Sequence, residues 1–97
     1  MTGKRYPWVW DYDIDEQQFD DILAGRLTIG RLNRDWAAVR LIEYAGYWEM
    51  IGRIGFAGLA HDWPRWRPRV RGEKLQGALD FLVNWVASAH PELIDSA

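Results

Sequence analysis

The hydrophobic positions of this chain follow a helical period, and no convincing pair of strands accompanies them. The clearest pattern lies in the last third, where apolar residues recur at i, i+3 and i+4 over four turns. This pattern predicts a helix over about residues 73–89, which Pro91 should stop. Its apolar members are Leu75, Ala78, Leu79, Leu82, Trp85, Val86 and Ala89.

The first predicted helix begins at a clear capping signature. Asp15 stands where an N-cap belongs, and Gln18 follows three residues later, as in a capping box. Ile14 and Phe19 occupy the two positions of a hydrophobic staple. Gly25 then predicts the end of the helix, because glycine readily adopts the left-handed conformation that closes many helices.

A second helix is predicted over about residues 34–45, with Asn33 as its cap and Gly46 as its end. Apolar residues cover two sides of this segment. Such broad coverage is typical of a central helix that other elements contact from both sides.

Glycines and prolines divide the next stretch. We expect two short helices, at about residues 47–53 and 56–62, with a turn at Gly55. Two prolines lie within residues 63–70. Because proline disfavours helix for the residue before it, this segment is predicted to be a rigid, partly extended connector.

These elements predict an all-α protein of four or five helices in a single domain over residues 1–97. Residues 1–12 are expected to form an extended N-terminal segment, and residues 90–97 a short C-terminal tail. The chain has no cysteine, no apolar leader core and no apolar run of 18 residues. We therefore expect a cytoplasmic protein that does not enter a membrane.

Seven tryptophans in 97 residues are unusual for one small core. A buried indole N–H needs a hydrogen-bond partner, so tryptophan is a demanding core residue. Some of these rings are therefore candidates for a surface that binds a partner. The full set is Trp8, Trp10, Trp36, Trp48, Trp63, Trp66 and Trp85.

The charges are unevenly placed although the formal net charge is only −2. Residues 11–21 hold six acids and no base, whereas residues 65–74 hold five bases and one acid. In the basic segment, arginine alternates with tryptophan and proline. Arginine and tryptophan are enriched in the energetic hot spots of protein interfaces. The candidate partner-binding residues are Trp8, Trp10, Trp63, Arg65, Trp66, Arg67, Arg69 and Arg71.

Three interpretations of this basic segment stay open. Its tryptophans are core anchors whose neighbouring arginines are solvated or pair with residues 11–21, either in the same chain or in a homodimer. Alternatively, rings and arginines together bind a protein partner. The third interpretation is nucleic-acid binding, with arginine on phosphates and tryptophan on bases. An isoelectric point near 5.6 weighs against the third.

The sequence gives little support for metal binding or catalysis. Residues 11–15 match the start of a calcium loop, but Glu16 and Ile22 replace its glycine and final glutamate, so we expect no metal. His61 and His90 lack zinc-ligand spacing, and no hydroxyl nucleophile stands in a catalytic motif. A helix-turn-helix over residues 34–63 fits loosely, but it is disfavoured because residues 47–53 are mostly apolar. We therefore expect a non-enzymatic protein without a cofactor.

Two segments carry a family resemblance. Residues 8–13, WVWDYD, and residues 40–46, RLIEYAG, resemble short bacterial proteins encoded next to nucleotidyltransferase-type toxins, which are presumed antitoxins. The resemblance extends over roughly residues 8–60. Ala45 before Gly46, the connector and the last helix depart from it. It implies a small intracellular protein that binds a partner and has no catalytic residues.

Overall fold

The computed structural model describes residues 4–95, and within them the all-α class is confirmed, with no strand formed. Helices and short helical turns follow one another along the chain. In order they are a 3-10 turn at Pro7–Val9, α1 at Glu16–Leu23, α2 at Arg34–Arg40, a π turn at Leu41–Ala45, α3 at Tyr47–Trp66, a 3-10 turn at Arg67–Arg69, α4 at Glu73–Ala89 and α5 at Pro91–Asp95.

The predicted cap of α1 is confirmed. The Asp15 carboxylate accepts a hydrogen bond from the Gln18 backbone N–H at 2.8 Å, and the Gln18 side chain accepts one from the Asp15 N–H at 3.0 Å. After the helix, Gly25 has a φ of 80°. The local sequence therefore accounts for both ends of α1.

The central position predicted for the second helix is also confirmed. Asn33 caps α2 by accepting a hydrogen bond from the Trp36 backbone N–H at 3.0 Å, and Gly46, with φ of 87°, ends the π turn. Ala37 packs with the N-terminal turn and α1 in one buried cluster. Ala38 belongs to a second cluster, built with α3 and α4. The α2 helix thus joins the two halves of the core.

The predicted turn at Gly55 is present, with φ of 80° and ψ of 158° inside α3. The expectation of a partly extended connector over residues 63–70 is wrong. The helix runs through Pro64 to Trp66 and then tightens into a 3-10 turn. A proline inside a helix costs about 3 kcal/mol. Burial of the Trp63 and Trp66 rings, one turn apart, offsets that cost.

Both ends of the chain are more helical than predicted. The segment 1–12 is not extended throughout, because Pro7–Val9 form a 3-10 turn that buries Trp8 and Val9. The segment 90–97 is not a plain tail, since α5 packs against α3 and α4. Pro91 ends α4 as predicted but also starts α5, because proline suits the first position of a helix. Residues 1–3 and 96–97 lie outside the described residues.

Gly55→Ala is expected to lower the free energy of unfolding by about 1–3 kcal/mol. A Cβ at Gly55 would meet no atom within 4 Å, so the cost comes from a backbone conformation that only glycine adopts easily. Denaturant unfolding would measure it. Gly52→Ala is the matched control: it lies in the same helix with equally open space, and it should stabilise by up to about 1 kcal/mol. Equal effects of the two variants would contradict this account.

Candidate protein-docking site

Three of the four tryptophans predicted to be exposed anchors are buried, so that expectation is wrong for them. Trp63 and Trp66 lie in the α3–α4 core, 3% and 0% exposed. The Trp63 indole N–H donates to Asp80 at 2.7 Å, and that of Trp66 donates to Asp35 at 2.8 Å. Because each indole N–H has a carboxylate partner, burial of the rings leaves neither donor unsatisfied.

Trp8 is the third buried ring. It stacks on Tyr6 at a centroid distance of 4.5 Å and meets Phe19 edge-on at 6.0 Å. Its burial follows from the 3-10 turn, which directs the side chain inward. Trp10 alone among the four is exposed, and its role in partner binding stays a prediction.

The arginines of the basic segment differ in how far they are neutralised. Arg65 pairs with Asp35 at 2.9 Å and Asp62 at 3.3 Å, and Arg67 pairs with Asp80 at 2.9 Å. The remaining two are less engaged. The Arg69 guanidinium reaches a carboxylate only at 4.0 Å, and the Arg71 guanidinium has no partner within residues 4–95.

None of the carboxylates that hold these arginines belongs to residues 11–21. Pairing of the basic segment with that acidic stretch in the same chain is therefore wrong, while pairing between two copies stays a prediction. The acids of residues 11–21 have other partners instead. The pairs are Arg5–Asp13, Arg26–Asp21, Arg40–Asp11 and Arg53–Asp20.

Asp35 is the best-connected of the neutralising carboxylates. Burial raises the pKa of Asp35, but the hydrogen bonds from Trp66 and Arg65 and the charges of Arg65 and Arg69 outweigh it, so the pKa lies below its ordinary value. The hydrogen bond from Arg67, followed by that from Trp63, likewise lowers the pKa of the half-buried Asp80. Both carboxylates are thereby held in the charged form.

This lowered pKa predicts that Asp35 stabilises the fold above about pH 4 and that the contribution is lost as pH falls through the folded-state pKa. Asp35→Asn should therefore destabilise at pH 7, and its difference from the wild type should shrink on acidification. Unfolding midpoints measured from pH 7 to pH 2 would test this. Asp13→Asn is the control, because its ion pair with Arg5 is largely exposed and contributes little. A constant difference for Asp35→Asn would refute the assignment.

An apolar groove of about 420 Å³ opens between the start of α3 and the first turns of α4. None of its lining residues is charged. Met50 and Leu79 are buried beneath it, whereas Tyr47 and Phe81 stand at its edge, with Phe81 72% exposed. The complete lining is Ile42, Gly46, Tyr47, Met50, Leu75, Ala78, Leu79, Phe81 and Leu82.

Exposed aromatic rings continue from this groove. Trp48 is 82% exposed and contacts Tyr47 edge-on at 4.9 Å. Trp85 lies one turn after Phe81 on α4, is nearly half exposed and contacts His90. We call Tyr47, Trp48, Phe81 and Trp85 the aromatic rim. Sequence reasoning did not assign the rim to a site, although Phe81 stands off the apolar stripe of α4 and was a visible signal.

The two segments that carry the family resemblance lie side by side. Arg40 inserts among aromatic rings, with its guanidinium carbon 4.8 Å from the centroids of Trp10 and Tyr44 and 5.2 Å from that of Tyr12. Its Nε donates to the Trp8 carbonyl at 2.8 Å, and a second nitrogen pairs with Asp11. Arg40 thus joins residues 8–13 to residues 40–46.

The described residues offer no grouping of side chains that could hold a metal ion. No group of three or more histidine, aspartate or glutamate side chains converges within residues 4–95. His61 is exposed, while its neighbour Asp62 is held by Arg34 at 2.7 Å and by Arg65. The His61–Asp62 pair is therefore not arranged as a dyad.

Comparison of the chain with protein-family models, curated proteins and solved structures yields no match. Among residues 4–95, no helix combines the length and apolar character needed to cross a bilayer. Among residues 4–95, the groove and the adjoining aromatic rim form an exposed apolar feature that can bind a partner.

Proposed function

We propose that this protein is a non-enzymatic interaction module that binds an amphipathic helix of a partner protein in the α3–α4 groove. The observation that carries the proposal is the pairing of an uncharged groove with an exposed aromatic rim. Soluble proteins rarely leave large contiguous apolar patches uncovered, and such patches commonly bind other proteins. Aromatic rings are also the residues most enriched in interface hot spots.

The shape of the groove favours a helix as its occupant. Two helices form its walls, and such grooves accept the apolar face of a third helix through anchors spaced i, i+3, i+4 and i+7. The buried Met50 and Leu79 form a floor for large aliphatic anchors. The absence of charge along the lining disfavours a strongly charged ligand there.

The exposed area favours a protein over a small molecule. A fully exposed aromatic side chain presents about 150–250 Å², so the exposed fractions of the four rim residues amount to roughly 500 Å². A standard protein interface buries about 800 Å² on each partner. The rim therefore supplies more than half of that area before the groove is counted.

The family resemblance suggests what the partner is. Ile42 and Gly46 belong to the second resembling segment and also line the groove. If the resemblance holds, the partner is a nucleotidyltransferase-type toxin, and binding acts by occluding it. In this proposal the interaction residues shift from the connector tryptophans to the aromatic rim.

The test measures partner binding by rim variants and maps the residues that the partner protects from hydrogen exchange. The tagged protein would capture its partner from the host, and the partner would be purified and its binding measured directly. Phe81→Asp should weaken binding by about 30-fold or more, the loss expected for a hot spot. Hydrogen exchange should show protection of residues 46–51 and 75–85. Trp10→Ala is the matched control, because it removes an exposed ring elsewhere.

Four outcomes would overturn this proposal. The first is that Trp10→Ala weakens binding while Phe81→Asp does not. In the second, the protected segment of the partner is not helical. In the third, capture disappears after nuclease treatment, which would favour nucleic acid. A concentration-dependent dimer that Phe81→Asp dissociates would instead assign the groove to a second copy of this chain.

A further inference from the structure

A second cleft, of about 220 Å³, shares no lining residue with the apolar groove and has the opposite character. Its wall combines three arginines with two aromatic residues that carry hydrogen-bond donors. These come from the N-terminal segment, from α2 with its π turn, and from the segment between α3 and α4. The residues that matter are Tyr12, Trp36, Arg40, Glu43, Arg69 and Arg71.

The positive charge of this cleft is only partly neutralised by the described residues. In the same basic segment, Arg65 pairs with Asp35 and Arg67 pairs with Asp80, each at 2.9 Å. Arg69 and Arg71 face the cleft instead, the first 4.0 Å from Asp35 and the second with no ion pair in residues 4–95. Glu43, the one acid in the lining, already accepts a hydrogen bond from the Arg71 backbone N–H at 2.7 Å. Within the described residues, the Arg71 guanidinium at the cleft therefore has no carboxylate partner, and that of Arg69 has only the distant Asp35.

Neutral donors add to these charges. The Tyr12 hydroxyl and the Trp36 indole N–H make no hydrogen bond to any residue in the part of the chain that the structure describes, although the two rings contact each other at 5.1 Å. Arg40 is held in place by the Trp8 carbonyl, by its ion pair with Asp11 and by the surrounding rings. Among the described residues, the cleft therefore offers one cation without an ion pair, Arg71, one distantly paired cation, Arg69, and two neutral donors without a partner. Arg40, which Asp11 already pairs, lies beside them.

We propose that this cleft binds a phosphate group. Guanidinium groups donate pairs of parallel hydrogen bonds that match phosphate oxygens, and hydroxyl and indole donors can satisfy those that remain. Two guanidinium groups, those of Arg69 and Arg71, suit a dianion better than a single carboxylate. The site does not depend on the apolar groove, so either can fail without the other.

The test uses the intact chain, inorganic phosphate and phenyl phosphate, with phenol and acetate as controls at constant ionic strength. Nitrogen-15 NMR would follow the Trp36 indole N–H and the Arg71 side-chain N–H. Both phosphates should shift these signals, and phenol should not. Arg71→Ala should lower the affinity for both phosphates by about tenfold or more. Arg31→Ala removes an exposed arginine that lines neither cleft and should leave the affinity unchanged.

Comparing the affinities for inorganic phosphate and phenyl phosphate shows which kind of phosphate the site binds. Tighter binding of phenyl phosphate would assign the site to an organic phosphate ester, and equal binding to free phosphate. The proposal is overturned if neither ligand shifts the signals at about 10 mM, or if acetate or phenol binds as well as phosphate. Equal losses from Arg71→Ala and Arg31→Ala would also overturn it.

Discussion

Replacing Trp66 by alanine is expected to lower the free energy of unfolding by about 3–5 kcal/mol, the range for a large buried aromatic side chain. The ring is fully buried in the core cluster to which α2, α3 and α4 contribute. Truncation would leave a cavity, remove the donor to Asp35 and take away the surface over which Arg34 lies at 5.3 Å. Denaturant unfolding followed by circular dichroism would measure the loss.

Two variants control this prediction. Trp66→Phe keeps most of the ring but loses the hydrogen bond, so it should cost less, about 1–3 kcal/mol. Trp48→Ala removes the most exposed tryptophan and should change stability by no more than about 0.5 kcal/mol. If Trp48→Ala proves as damaging as Trp66→Ala, the division between buried and exposed tryptophans is incorrect.

Arg40→Ala is expected to be the next most damaging change, at about 2–4 kcal/mol. The Arg40 side chain is only 13% exposed. Its loss would leave the Trp8 carbonyl without its donor and would remove the cation from among four aromatic rings. Because Arg40 connects the N-terminal segment to the end of α2, hydrogen exchange should rise most in residues 6–12.

The matched controls separate geometry from charge. Arg40→Lys keeps the cation but cannot reach the Trp8 carbonyl and Asp11 with one planar fork, so we expect it to recover about half of the loss. Arg26→Ala breaks an exposed pair with Asp21 and should cost less than about 1 kcal/mol. If Arg40→Ala lowers the free energy of unfolding no more than Arg26→Ala does, the contacts of Arg40 with the aromatic rings do not stabilise the fold.

The candidate site was only partly predictable. The sequence identified an excess of tryptophan and a basic segment, but it left open whether Trp63 and Trp66 are core anchors or partner-binding residues, and the structure places both in the core. The structure instead leaves Trp48 and Phe81 exposed. Helical periodicity could not separate these cases, because two prolines near Trp63 and Trp66 suggested an exposed connector. Burial energy overrode that local preference and continued the helix.

The helix boundaries show what the sequence determined by itself. The caps at Asp15 and Asn33 and the breaks at Gly46 and Gly55 all depend on residues within a few positions of one another. Local hydrogen bonds and backbone preferences therefore predict them correctly. Only the tertiary structure decided which carboxylate meets which indole or arginine, since Trp63 and Asp80 are 17 positions apart and Trp66 and Asp35 are 31 apart. Such pairs form because packing brings distant helices together, and that packing also determines which aromatic rings remain on the surface.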